Sequence, residues 1–433
     1  MLKFIFRALR YRNFRLFFMG QGISLIGTWM QAVAMGWLVY RMTNSPLLLG
    51  IVGFSSQIPS FILGPFAGLM ADRFNRHRLL VITQTLSMIQ AFILAILTIT
   101  GTIAVWHIMV LGAFLGCINA IDIPARQSFI VEMVERKENL ANAIALNSLM
   151  FNAARLVGPP IAGFLIAIVG EGTCFMINAI SFIAVIVSLI AMKVSVRKTE
   201  KLGSHIMRDL KEGFAYTFGF PPIKFIILLL AVISLMGTSY AVLMPVFAKD
   251  ILKGGPGTLG LLLAGGGIGA LAATIYLASR KSIVGLGSLI PVSSGIFSAG
   301  IIVFSLSRST AVSMLLLAIA GFGFMTHMAA SNTILQTIVD DDKRGRVMSF
   351  YSMAFMGMTP IGSLLAGVLA SKIGAANTLV LGGSCCILAS AVFATKLPLL
   401  TKLIHPIYRK IGIIPEVASG MGTATRITLP PED

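Results

Sequence analysis

Charged side chains are scarce in this chain, and where they gather they could do three kinds of work. The first group is Asp72-Arg73-Phe74-Asn75-Arg76-His77-Arg78, five ionisable residues between two apolar runs. Opposite charges so placed can form ion pairs that make and break, or they can simply mark one side of a membrane. The second is Asp122, followed four residues later by Arg126, a spacing that puts both on one helix face. A carboxylate inside an apolar run is costly, so it is expected to hold an arginine or carry a proton. The third is Arg155, whose fork of donors suits carboxylates and other planar anions. It lies just before Gly158-Pro159-Pro160, and hydrogen bonding to carbonyls freed by those prolines is an equally good use for it. His327, inside another apolar run, could relay protons or serve as a hydrogen-bonded packing residue. Gln31 and Asn152 are candidates for polar lining of a cavity, alongside Trp29, Asn178 and Tyr240.

Signatures of other chemistries do not occur. There is no G-x-x-x-x-G-K-[ST] phosphate loop, no H-E-x-x-H and no plausible Ser/His/Asp set. The run Gly265-Gly266-Gly267-Ile268-Gly269 sits inside an apolar stretch and reads as close helix packing. The four cysteines, Cys117, Cys174, Cys385 and Cys386, also fall in apolar runs and lack metal-ligand spacing. Neither an enzyme nor a resident cofactor or metal is expected.

The elements that must position these residues are membrane helices. Of 433 residues, 56% are hydrophobic and 12% charged, against about 25% charged in a soluble protein. Twelve apolar runs are long enough to span, near 15–40, 47–70, 79–100, 105–126, 141–168, 172–192, 224–247, 257–279, 285–306, 310–334, 347–371 and 376–396. The fold class is an all-α membrane protein. A β-barrel would show short alternating segments instead. The first run is too long for a signal peptide and reads as an uncleaved span. The net charge of +18 does not point to nucleic acid, because the basic residues lie in short turns between runs. With the N-terminus inside, 28 of the 34 Lys and Arg fall on the cytoplasmic side and 5 outside, which makes both termini cytoplasmic.

The chain divides as 1–192, a linker at 193–223, 224–396, and a polar tail at 397–433 expected to be largely disordered. In the linker Ile206, Leu210, Phe214 and Phe218 recur every four residues, giving an amphipathic helix that lies on the inner leaflet or is an ordinary connector. The halves repeat. Gly158-Pro159-Pro160-Ile161-Ala162-Gly163-Phe164-Leu165 then Gly170 matches Gly362-Ser363-Leu364-Leu365-Ala366-Gly367-Val368-Leu369 then Gly374, at an offset of 204. A parallel repeat of six spans is a transporter architecture with its site between the halves.

Gly68-x-x-x-Asp72-Arg73-x-Asn75-Arg76-x-Arg78 between spans two and three resembles the loop signature of the major facilitator superfamily. The resemblance covers all twelve spans and implies two pseudo-symmetric six-helix bundles. It also implies that Asp72 lies against helix eleven, and that Arg76 pairs with the acidic residue at the inner end of helix four, here Asp122. Gly68, Asp72, Arg73, Arg76, Arg78 and Asp122 are then a gate that holds the inner side closed. Asn75 stands where the signature has Gly, and Asn tolerates the left-handed backbone that Gly would supply. Asp122-x-Pro124-Ala125-Arg126-Gln127-Ser128-Phe129 and Asn142-Ala143-Ile144-Ala145-Leu146-Asn147-Ser148 look like the branch that holds the enterobactin exporter and macrolide efflux proteins. Gly158, Pro159 and Gly163 resemble the antiporter motif G-P-x-x-G-G, with Ala162 departing by a methyl. Together these imply a monomeric exporter of amphipathic small molecules, a drug or siderophore, in a bacterial inner membrane, surrounded by lipid and driven by protons. The alternatives are an importer of a lipid-like solute such as a lysophospholipid, and a non-transporting sensor or lipid-modifying enzyme.

Overall fold

A computed structural model describes residues 6–134, 136–192, 206–280 and 282–410, with side chains described for all of these except 65–73, 137, 206–211 and 410. Twelve of its helices are long and apolar enough to cross a membrane. They are α1 Arg12–Thr43, α2 Pro46–Arg73, α3 Arg76–Ile99, α4 Val105–Met133, α5 Leu140–Val169 and α6 Glu171–Ile190, then α7 Pro221–Ile251, α8 Pro256–Ser279, α9 Leu286–Leu306, α10 Thr310–Ile338, α11 Asp341–Ile373 and α12 Ala375–Lys410. A helix satisfies its own backbone groups, which is why apolar segments of this length take no other form in lipid.

Several helices overrun the apolar runs that announce them. A helix of this length exceeds the ~30 Å hydrocarbon core, so its ends are free to be polar. The largest overrun is α12, which continues to Lys410 with Leu400, Ile404 and Tyr408 buried. The boundary expected at 396 therefore falls inside a packed helix. The expected disorder of the tail concerns 411–433, which lie outside the described residues.

Backbone turns repeat with the sequence pattern. Gly170 joins α5 to α6 at φ +81°, and Gly374 joins α11 to α12 at φ +83°. Both occupy a conformation that a Cβ disfavours, so each permits a one-residue turn between antiparallel helices. These are the last glycines of the two matching motifs. The turn at Asn75 departs from expectation. Asn75 has φ −65° and ψ 111°, and its side chain accepts a hydrogen bond from the Arg78 amide as the N-cap of α3. The signature's glycine is here replaced by a cap, not by a left-handed residue.

The linker helix Ile206–Gly219 is docked on protein. Gly213 packs against Arg346 and Phe350 of α11, and Phe214 and Phe218 place their rings 6.1 and 6.3 Å from Phe350. Arg346 binds Glu212 at 2.8 Å, and the Tyr216 hydroxyl donates to Asp340 at 3.3 Å. Between the two sequence readings, the contacts favour a connector fixed to α11.

Candidate functional site

The helices alternate in direction, so the α2–α3, α4–α5, α8–α9 and α10–α11 connections share one end of the bundle, the basic end. The α1–α2, α7–α8 and α11–α12 turns share the other, the sparsely charged end.

At the basic end, the side chains of Gly68, Asp72 and Arg73 lie outside the described residues. Arg76 is described, and it does not reach Asp122. Its Nη1 lies 2.7 Å from Oε1 of Glu132, near the end of α4. One helix end is a natural partner for the neighbouring helix end, whereas Asp122 lies three turns deeper in the same helix. His77 contacts the Leu189 carbonyl of α6 at 2.8 Å. Arg78 contributes its backbone amide to the cap described above.

Asp122 is buried, with 3% of its surface exposed, and it is fully partnered. Oδ1 accepts from the Thr83 hydroxyl and the Gln84 amide, both at 2.8 Å, and Oδ2 lies 3.2 Å from Arg126 Nη2. The four groups come from α3 and α4, so they brace one half internally. Gln31, expected to line a cavity, is instead buried in a second brace. It donates to Gln90 at 3.0 Å and accepts from Asn178 at 2.8 Å, joining α1, α3 and α6. His327 is also fully buried within the second half and does not open onto the space between halves. Asn152 donates to the Ser148 carbonyl on its own helix.

The two halves meet through small residues. A Cβ built on Gly50 of α2 would lie 2.7 Å from the Ser363 oxygen and 2.8 Å from Gly367 Cα of α11. A Cβ on Gly260 of α8 would lie 2.7 Å from the Pro159 oxygen and 3.3 Å from Gly163 Cα of α5. Ser363 and Gly367 stand 204 positions after Pro159 and Gly163, so the two crossings are copies of one another. Their partners also repeat, as Pro46-Leu47-Leu48-Leu49-Gly50 and Pro256-Gly257-Thr258-Leu259-Gly260. This P-x-x-L-G pair was a legible signal that the sequence reading missed. Gly158, the other glycine of the antiporter-like motif, serves a different contact. A Cβ there would lie 2.6 Å from Trp29 Cβ on α1.

A polar clasp reinforces the sparsely charged end. The Tyr40 hydroxyl of α1 donates to Asp250 of α7. Lys249 donates to Asn44 at 2.6 Å and stands 5.6 Å from the Tyr40 ring centre. Beside it, Arg41 makes a two-point bond to buried Glu171, at 2.7 and 3.2 Å, within the first half. Lys249 and Arg41 are two of the 5 Lys and Arg that the sequence places outside. Among the described residues, which leave out the α2 side chains at 65–73, Met358–Ile373 of α11 packs on α2, whereas Asp341–Ser352 packs on the linker helix, α7 and α10. The change falls at the π-helical turn Met353–Gly357.

Two bundles of six helices, joined by copies of one crossing, define a membrane transporter of the major facilitator type. The chain belongs to the transmembrane secretion effector family, which matches residues 5–404. It is 27% identical over 380 residues to the staphyloferrin A transporter of Staphylococcus aureus, covering 87% of this chain and 94% of that one. It is 25% identical to the multidrug efflux pump Tap of Mycolicibacterium fortuitum over 405 residues, 89% and 93% of the two chains. Macrolide efflux protein A of Streptococcus pyogenes is 22% identical over 406 residues, 87% and 94%. Among solved structures, the D-xylose–proton symporter superposes with a TM-score of 0.71 at 15% identity, over 88% of this chain and 97% of that one. The chain is thus a multi-pass bacterial-type membrane transporter and not an enzyme.

Proposed function

We propose that this transporter exports amphipathic small molecules by alternating access, with the basic end in the cytoplasm. The observation that carries the reading is the pair of equivalent glycine crossings, Gly50–Gly367 and Gly163–Gly260. Both lie toward the sparsely charged end, where the Tyr40–Asp250 clasp also sits. This arrangement is read as the state closed outside and opening inward. Rocking about the crossings would exchange it for the opposite state. The charge asymmetry of the loops supports the orientation. The relatives named for siderophore and drug transport support export, as does the Gly158-Pro159-x-x-x-Gly163 motif.

We further propose that proton entry drives export and that the Gly68–Arg78 segment latches the inner side in the opposite state. The test is dye transport in inside-out vesicles with an imposed pH gradient. Uptake into such vesicles that collapses with a protonophore is the expected result. Transport only in right-side-out vesicles would favour the importer reading. Asp72→Asn should increase labelling of the inner cavity, and unchanged labelling would leave the segment a topology marker.

A further inference from the structure

The contacts of α5 sort its surface into faces. Gly158 faces α1, through Trp29, while Leu156 and Gly163 face α8, through Gly267 and Gly260. Val157, Ile161, Phe164 and Ile168 are exposed on the opposite side, where lipid lies. At ~100° per residue, Arg155 falls about 60° round the helix from Gly158, on the way to the α8 face. It therefore points between α1 and α8, into the space between the two halves. Ser148 and Asn152 share this strip.

The surroundings of Arg155 are aromatic. Its guanidinium carbon lies 5.8 Å from the Trp29 ring centre, and Trp29 meets Phe151 edge-on at 5.8 Å. From the other half, the Tyr240 hydroxyl would lie 3.8 Å from a Cβ on Gly266 of α8, next to the Gly267 that meets Leu156 of α5. Tyr240 follows the π-helical turn Ile233–Gly237 that interrupts α7, and its hydroxyl makes no hydrogen bond to another described residue. Among the described residues no carboxylate pairs with Arg155. The chain has 16 acidic residues, and Asp122 is the one that lies well away from a span end. It is already held by Arg126, Thr83 and Gln84. An arginine at mid-membrane without a counter-charge is costly, so a partner that brings the negative charge is strongly favoured.

Building on the transporter reading, we propose that the central site takes organic anions. A planar carboxylate seats on the Arg155 fork, and a flat apolar body packs against Trp29, Phe151 and Tyr240.

The test is equilibrium binding of three labelled probes to the full chain in nanodiscs: 2-naphthoate, its neutral amide, and 2-naphthylmethylammonium. Naphthoate should bind at least ten-fold tighter than either of the others. Arg155→Met should abolish that preference, and Arg155→Lys, which keeps the charge without the fork, should fall between. Equal binding of naphthoate and the amide, absence of saturable naphthoate binding, or naphthoate binding unchanged in a folded Arg155→Met protein would overturn the proposal. Where that variant does not fold, the three probes on the unaltered chain decide alone. Counterflow of the same probes in vesicles separates the two readings. Binding without movement overturns the transport reading and leaves the anion site. Movement of the neutral amide without preferential naphthoate binding does the reverse.

Discussion

Gly163 of α5 and Gly260 of α8 cross so closely that neither tolerates a side chain without movement. A Cβ on Gly163 would lie 2.6 Å from the Pro256 oxygen, and one on Gly260 2.7 Å from the Pro159 oxygen. Small residues at such crossings let backbones approach, and dispersion across the contact holds lipid-embedded helices together. A larger residue is expected to part the halves at this end. Overpacking of a tight contact costs about 1–3 kcal/mol, and ~1.4 kcal/mol is ten-fold in population. Gly163→Leu and Gly260→Leu should each raise maleimide labelling of a cysteine placed at Gly36, where a Cβ would face Pro245 of the other half at 3.7 Å, in a chain whose four cysteines are first replaced by serine. Gly367→Leu should do the same, because it occupies the equivalent crossing against Gly50. Labelling that stays at the unaltered rate in all three would remove the crossings from the gate.

Tyr40 and Asp250 join α1 to α7 at that same end. A hydrogen bond to a charged group contributes about 1.5–3 kcal/mol, and this one exists only while the end is closed. Tyr40→Phe should therefore favour opening and increase the labelling at position 36. Arg41→Gln supplies the contrast. Its partner Glu171 lies in the same half, so its loss should lower the melting temperature without changing the labelling. If both variants change labelling alike, the clasp is merely part of general stability.

The membrane architecture was legible because hydrocarbon imposes length and composition on every span. The repeat was legible too, in Gly163 and Gly367 and in the turn glycines Gly170 and Gly374. The pairing of charges was less so. Arg76 had two acidic residues within reach on α4, and the resemblance pointed to Asp122, whereas helix register gives it Glu132. Gln31 was visible as a polar residue in a span, yet its partners Gln90 and Asn178 lie on distant helices. No local pattern tells a buried brace from a cavity wall. The clasp was hidden for a similar reason. Lys249 and Asp250 look like ordinary loop charges until α7 is brought against α1.

Arg76 and Glu132 offer a direct check on the corrected pairing. Both are about one-fifth exposed, so solvent screening limits the pair to about 1 kcal/mol. Each single change, Arg76→Glu or Glu132→Arg, should lower the melting temperature in detergent by a few degrees. The double swap should restore at least half of the loss. Asp122→Asn added to either single variant should be additive, since Asp122 shares no partner with the pair. Strong coupling between Arg76 and Asp122 instead would revive the pairing that the loop signature implies.

Asp122 remains the carboxylate with the best claim to carry a proton, and its neighbours argue against that role. A carrier must lose its stabilising donors at some point in the cycle so that it can take up a proton. Thr83, Gln84 and Arg126 all belong to the same half as Asp122 and move with it when the halves rock. The carboxylate therefore keeps the same three partners in every state that keeps the half rigid. Removing one partner of a buried ion pair costs about 3–5 kcal/mol, so Asp122→Ala should express poorly or melt well below the unaltered protein. Asp122→Asn keeps an acceptor for Thr83 or Gln84 and should cost less. In that variant, transport driven by an imposed pH gradient should continue at no less than half the normal rate per folded molecule. Complete loss of gradient-driven transport, with dye counterflow preserved, would make Asp122 the proton carrier and its ring of donors the means of releasing the proton.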